Sequence, residues 1–328
     1  MKDTQPFLLI ILLLVTKPAA AINDFFEPFA TSNLSPFVQA HNLPAARSAK
    51  LLNKGEAQIQ LTSEIANNFT SDSSSNESIT IDGETWRNQL YLRYGLGDRW
   101  EFGVSIPHVA HDGGSFDGFI EDWHRVFGLP KGNREAVAQD QLNYRWQKNG
   151  IPLVNISNAR RGIGDIRLQL TYQLNNTVNR SIALIGGVKI PTGHSDDLFG
   201  SDSTDVFSGL YVSQREFFGH ADLTFHGSAG AILIGHSDLP LVKNWLGYSS
   251  ATLIWHRWER VALKTQLDMH SAVYDSELKQ LGEFSTQLSL GGTIALTDNT
   301  SLDIVVVEDI VTDTAPDVTF HLTLRRRF

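Results

Sequence analysis

Cysteine is absent from the 328 residues. That removes disulfides, thiolate catalysis, cysteine metal sites and a lipid anchor on cysteine. A basic face is missing too: 27 Lys and Arg stand against 36 Asp and Glu, a formal charge of -9. Nucleic acid is therefore not an expected partner, since binding it takes a positive surface. Long apolar runs are lacking after the first fifteen residues. A spanning helix needs ~20 apolar residues, and a hydrophobic content of 41% is too low for a bundle of such helices.

One short run is present. Lys2 precedes Phe7–Val15, nine apolar residues, and Pro18 and Ala19-Ala20-Ala21 follow. A short apolar core ahead of small residues is the pattern of a secretory signal peptide. Residues 1–21 are expected to be that signal, cleaved near Ala21, so that the mature chain is exported.

From about residue 55 onward, apolar and polar residues alternate. The last stretch, "VTFHLTLRRRF", sets Val318, Phe320, Leu322 and Leu324 against Thr319, His321, Thr323 and Arg325. Strand side chains alternate with period two, so these sets lie on opposite faces. The pattern recurs at residues 57–65, 86–96, 100–106, 164–174, 181–191, 205–213, 221–233, 245–257, 259–270, 283–296, 301–310 and 317–328. Links near 97–99, 175–179, 215–219, 257–259 and 296–300 are short. Those near 70–84, 107–163, 191–204, 234–244, 271–282 and 311–316 are longer. A soluble sandwich has no reason for this asymmetry, whereas an outer-membrane barrel combines tight periplasmic turns with longer outer loops. The expected fold is all-β, a transmembrane antiparallel up-and-down barrel of about twelve strands over residues 55–328, with a long structured outer loop at 107–163.

Aromatic residues on the apolar face fall into two rings. Trp86, Trp245 and Phe284 lie near outer strand ends, and Tyr94, Trp100, Tyr172, Trp255 and Phe328 near inner ends. Trp245 to Trp255 is roughly 33 Å along a strand. Tilted by ~40°, that is about 25 Å of height, the apolar band between two aromatic girdles. The apolar face therefore meets lipid, and outer-membrane lipid and lipopolysaccharide are the expected surroundings.

The opposite face is polar and carries both signs: Arg87, Arg93, Glu101, Asp165, Arg167, Lys189, Asp222, Arg260, Lys264, Asp268, His270, Glu283, Asp303 and Arg325. These residues either wall a water-filled pore or form ion pairs that fill a closed barrel. Twelve strands lie between ~8, whose lumen side chains can fill, and 16–18, which leave a channel. Residues 22–54 show no alternation and carry Phe25, Phe26, Phe29 and Phe37. Four phenylalanines suit a hatch within the barrel or across its inner mouth; a periplasmic tail is the alternative. Asn33 and Asn42 would pair with the polar wall and Phe37 would dock inside.

Within the long loop, Phe116, Ile120, Trp123, Val126 and Phe127 recur at near-helical spacing before Gly128 and Pro130. "LNYRWQKNGIPLVNI" then reads as a hairpin turning at Asn149-Gly150. Enzyme chemistry is not expected. His226 and Ser228 share an inward face, but no third group orients them. The acidic stretch "HSDDLFGSDSTD" lacks a calcium-loop spacing. No cofactor and no metal is expected.

Several stretches resemble an uncharacterised family of proteobacterial outer-membrane barrels, a domain of unknown function. They are "SNLSPFVQAHNLP", "FIEDWHRVFGLPKGNRE", "GIGDIRLQLTYQL", "KIPTGHSDDLFGSDSTDV" and "QLDMHSAVYDS". "GIGDIRLQLTY" and "KIPTG" are also similar, more distantly, to barrels of aromatic-compound degradation and fatty-acid transport. The terminal aromatic strand is similar to the signal read by barrel assembly machinery, which the resemblance implies as a partner in biogenesis. The resemblance implies no catalytic residues. The expected function is a gated passive channel for small, apolar or aromatic, cargo molecules; the alternative is a structural or surface-binding barrel with a closed lumen.

Overall fold

The computed structural model describes residues 26–114, 141–311 and 313–328. The signal expected over residues 1–21, Phe25 and the near-helical stretch of residues 116–127 fall outside the described residues.

Among the described residues fifteen strands form one sheet, and twelve of them make the barrel. The first three are β1 (Ala57–Ser73), β2 (Glu77–Gly95) and β3 (Trp100–Asp112). Three short ones follow in the long outer loop: β4 (Asn143–Lys148), β5 (Ile151–Ile156) and β6 (Arg160–Ile163). Next come β7 (Ile166–Asn176), β8 (Arg180–Ile190), β9 (Asp205–Arg215), β10 (Leu223–Leu233) and β11 (Trp245–Trp255). The last four are β12 (Val261–His270), β13 (Ser285–Thr297), β14 (Thr300–Asp309) and β15 (Val318–Arg327). Each barrel strand runs antiparallel to its neighbours, and β1 closes the ring against β15, with Leu61 opposite Leu324 and Gln58 opposite Arg327. Closure pairs the twelve barrel strands all the way round, as a lipid surround requires.

Alternation decides the faces. On β15, Thr319, His321, Thr323 and Arg325 are buried inside, while Leu322 is 50% and Leu324 40% exposed. Leu92, Leu170, Leu210, Leu263, Leu290 and Ile304 continue the exposed apolar belt around the barrel.

The link placed near 70–84 is strand, not loop. β1 and β2 pair from Ala57–Tyr94 to Ser73–Ser78, and the turn is confined to residues 74–76. At ~3.3 Å per residue the 19-residue β2 is far longer than a ~25 Å band needs. Beyond the bilayer its pattern changes phase: Ile79 and Ile81 point inward and are buried, while Ser78, Thr80 and Asp82 face out half-buried. Water now lies outside and a protein core inside.

That core caps the outer end. The β4–β5 hairpin turns at Asn149 (φ 52) and Gly150 (φ 75), both left-handed, as a two-residue turn demands. β4 adds to the outer half of β2 and β6 to the outer half of β3. Tyr144, Trp146 and Ile156 thereby join Ile79, Ile81, Phe207, Leu246 and Tyr274 in one apolar cluster inside the outer mouth.

Candidate functional site

The lumen is occupied by residues 26–52 of the same chain. Phe26, Phe29, Leu34, Phe37 and Leu52 are all buried there. Phe29 is bound through its backbone: its N–H donates to Gln266 Oε1 (2.9 Å) and its carbonyl accepts from Gln266 Nε2 (3.1 Å). Its ring packs with Val305 and Val307, and Lys264 Nζ stands 4.7 Å from the ring centre. Phe26 packs on Ile254 and Ala262 and stacks at 6.1 Å on His256.

Deeper toward the outer mouth, the chain makes one helical turn, Pro36–Gln39, with proline at its start, where a missing N–H costs nothing. The turn inserts Phe37 edge-on between Trp146 (5.9 Å) and Tyr274 (6.2 Å), and Tyr274 Oη donates to the Phe37 carbonyl at 2.9 Å. Asn33 Nδ2 lies 3.0 Å from His270 Nε2 and donates to the Thr314 carbonyl at 3.1 Å. Asn42, in the left-handed region at φ 46, then turns the segment back along the wall.

The inner half is held by ions. Glu101 accepts from Arg93 of the wall (2.9 Å) and from Arg47 of the segment (2.6 Å). Glu27 of the segment reaches Arg93 (3.0 Å) and Arg327 (2.7 Å). Asp303 lies between Lys264 and Arg325, and Arg325 also donates to the Pro28 carbonyl at 3.0 Å. Glu64 is shared by Arg87 (3.2 Å) and His321 (3.0 Å). A buried charge survives only when paired and hydrogen-bonded. Glu101 and Glu27 meet that condition across wall and segment. Asp303 and Glu64 take their charged partners from the wall, and their clusters meet the segment at neutral groups, Glu64 accepting the Ser32 N–H at 3.2 Å. For Glu27, burial alone would raise the carboxyl pKa, but Arg93, Arg327, Arg325 and Arg47 outweigh it and hold the group well below the usual carboxylate range. His41, 3.1 Å from Tyr274 Oη, has no anion beside it; burial, then Lys189 and His270, push it down to about 3.

Asp165 organises the outer rim. Its carboxylate accepts the N–H groups of Thr192 (3.1 Å), Gly193 (3.0 Å) and Ser201 (3.1 Å) and pairs with Lys189. Lys189 also reaches Asp205 at 3.1 Å. The stretches "GIGDIR", "KIPTG" and "FGSDS" thus converge on one carboxylate, and a Cβ at Gly200 would run into it.

Of the residues read as lumen-lining, Arg87, Arg93, Glu101, Asp165, Arg167, Lys189, Lys264 and His270 are buried inside. Asp268 is partly buried and accepts from Thr31 Oγ1 (2.7 Å) and Gln266 Nε2 (2.8 Å). Three do not belong. Glu283 is exposed and precedes β13, because a short helix, Lys279–Gly282, interrupts the alternation ahead of it. Asp222 and Arg260 sit in inner turns on the surface, paired with Arg257 and Asp298 respectively. On the lipid face, Tyr94, Trp100, Trp245, Trp255, Phe284 and Phe328 are exposed, and Trp86 and Tyr172 are partly so. Trp245 and Trp255 terminate β11 at its two ends.

His226 and Ser228 do not meet. His226 Nδ1 bonds Ser213 Oγ (2.7 Å), which also accepts the Ala49 N–H (2.8 Å), and Ser228 bonds Ser250 (2.7 Å). In the acidic stretch, Asp202 accepts from the N–H and hydroxyl of Ser195, closing a turn. Among the described residues no cluster of three or more His, Asp or Glu is placed to hold a metal. Glu27 and Arg47, the segment charges that pair with the wall, are not among the candidates that the sequence offers. Glu27 and Arg47 stood out only as rare charges in a Phe-, Pro- and Asn-rich stretch.

A closed twelve-strand barrel with an apolar belt and a polar, filled lumen defines an outer-membrane β-barrel protein. Over residues 4–328 the chain matches the family described as Protein of unknown function (DUF3187), and it belongs to that family. No curated protein matches it. Among solved structures it is similar to the COG4313 outer membrane channel from Pseudomonas putida F1, at 13% identity and a TM-score of 0.55, over 85% of this chain and 98% of that one. It is also similar to the NanC porin, at 7% identity and a TM-score of 0.43, over 82% and 97% of the two chains. The Ralstonia pickettii toluene transporter TbuX shares 10% identity at a TM-score of 0.41, over 84% and 90%.

Proposed function

We propose that the protein is a passive channel of the outer membrane for small molecules, gated by residues 26–52 of its own chain. The observation that carries this reading is the chemistry of the contact between segment and wall. In the inner half, beside the packing of Phe26 and Phe29, it is made largely of ion pairs and hydrogen bonds, such as Arg47–Glu101, Glu27–Arg93 and Gln266–Phe29. Water can replace such contacts at small net cost, so a wall lined by Gln60, Arg87, Gln89, Gln169 and Thr171 rehydrates when the segment leaves. That wall suits cargo with a polar group. An apolar or aromatic body would find its largest surface in the outer layer, at Ile185, Phe207 and Tyr248, with smaller patches at Ile254 and Ala262 and at Val305 and Val307. The likeness to an outer membrane channel agrees with the reading. Export through a cleaved signal near Ala21, and insertion by assembly machinery that reads the strand ending in Phe328, belong to the same proposal.

The filled lumen also favours a second reading, a structural or surface-binding barrel that never opens. Planar-bilayer recordings of the refolded protein separate the two. Discrete unitary currents, longer-lived or larger when residues 22–54 are deleted, support the channel. A silent membrane from both proteins, each folded by heat-modifiable gel migration, supports the closed barrel.

A further inference from the structure

Among the described residues, Arg47, Arg87, Arg93 and Arg325 each reach a carboxylate inside the barrel, and Arg167 reaches none. Arg167 is only 4% exposed. Its Nη1 donates to the main-chain carbonyl of Asn42 (2.6 Å) and more weakly to Asn42 Oδ1 (3.5 Å). Its Nε has no partner, and its guanidinium carbon lies 5.7 Å from the Phe207 ring centre. Arg87, two strands away across β3, donates to the same Asn42 Oδ1 at 2.7 Å. Two guanidinium groups therefore converge on the neutral oxygens of one segment residue. Asp165, two residues before Arg167 on the same wall, is engaged by Lys189 and three backbone N–H groups. Arg87 shares Glu64 with His321. Beside Arg167 lies a cavity lined also by Arg47, Arg325, Gln89, Gln169 and Tyr91 and by Glu27 of the segment, which is paired with Arg93 and Arg327, with room for water but not for an organic solute.

A buried cation without an anion is costly unless something is meant to bind it. Arginine pairs are suited to planar, bidentate capture of carboxylate or phosphate. We propose that Arg87 and Arg167 form the anion-selective constriction of the channel. In the closed state the carbonyl oxygens of Asn42 occupy the place of the solute, and the cargo is a small molecule bearing an anionic group. The inference rests on the channel reading. When Asn42 withdraws, Arg167 faces the passage without an ion-pair partner among the described residues, and an anion is the group that replaces the lost oxygens.

The test is the reversal potential of the full-length protein in a planar bilayer under a KCl gradient. Chloride is expected to permeate severalfold better than potassium. Arg167→Gln should bring the ratio close to unity, and Arg260→Gln, on an exposed inner turn, should leave it unchanged. Asn42→Ala keeps the wall intact and should raise the open fraction at the same or greater anion preference, which covers the case in which Arg167→Gln fails to fold. Conductance without anion preference in the wild type, or a preference that survives Arg167→Gln, overturns the inference and leaves the channel reading standing. A bilayer that stays silent with the full-length protein and with the protein lacking residues 22–54 overturns both.

Discussion

Arg93 and Glu101 face each other across β2 and β3, joined by two parallel hydrogen bonds of 2.9 Å each. A short turn separates them in sequence, so this pair forms as soon as the hairpin does. Glu101 then accepts Arg47 at 2.6 Å and the Leu52 N–H at 2.9 Å, and Arg93 takes Glu27 at 3.0 Å. One local pair is thus the anchor for a segment that arrives from elsewhere.

Glu101→Gln removes the charge that Arg47 and Arg93 share. Breaking a buried pair from one side costs roughly 3–5 kcal/mol. The strand ladder does not depend on it, so the barrel is expected to fold and to keep its gel shift, while its unfolding temperature in detergent falls. Channel openings should become more frequent. An unchanged melting temperature together with unchanged openings would show that Glu101 does not hold the segment.

Phe29→Ala empties a site packed against Val305 and Val307. Truncating a buried Phe costs about 3–5 kcal/mol, here mostly as docking energy of the segment. Limited proteolysis of the folded barrel should cut within residues 26–52 faster than in the wild type, with the strands still protected. Equal cleavage rates would place the docking energy in the ion pairs alone.

Acid should loosen the segment. His41 is pushed from 6.5 down to about 3 when docked, so the released segment binds more protons between those values. Its contribution to docking is complete above 6.5 and declines as pH falls toward 3. Glu27, held below its ordinary 4.5, acts in the same direction: its contribution is present above 4.5 and is lost as pH falls further. Open probability is expected to rise from neutral pH to about pH 4.5, and His41→Gln should flatten that rise. A falling open probability would contradict both signs.

Asp165→Asn halves the acceptor capacity at the point where Thr192, Gly193, Ser201 and Lys189 meet. An amide nitrogen would face at least one of these donors, leaving it unsatisfied at a cost of about 1–3 kcal/mol. The stretch from residue 191 to 204 should exchange its amide hydrogens faster, with β7 and β8 little changed. Uniform exchange across all three would mean that Asp165 supports the whole wall.

The barrel was legible because period-two alternation is a local property: Leu322 and His321 are neighbours, and their polarity alone assigns them to lipid and lumen. The same holds for Asn149-Gly150, where only left-handed residues can close the turn. Locality also explains the misreadings. Residues 70–84 passed for a loop because β2 leaves the bilayer there and Ile79 and Ile81 turn inward to a core that the sequence does not display. Glu283 was assigned by parity, which the short helix before it resets. The sequence by itself determined the barrel strands and their two faces, since these follow from each residue's contrast with the next. Only the tertiary structure decided that residues 26–52 fill the lumen and that Asn42 stands between Arg87 and Arg167. Those contacts join residues as far apart as Phe29 and Gln266, and such pairings exist only once the ring has closed around the segment.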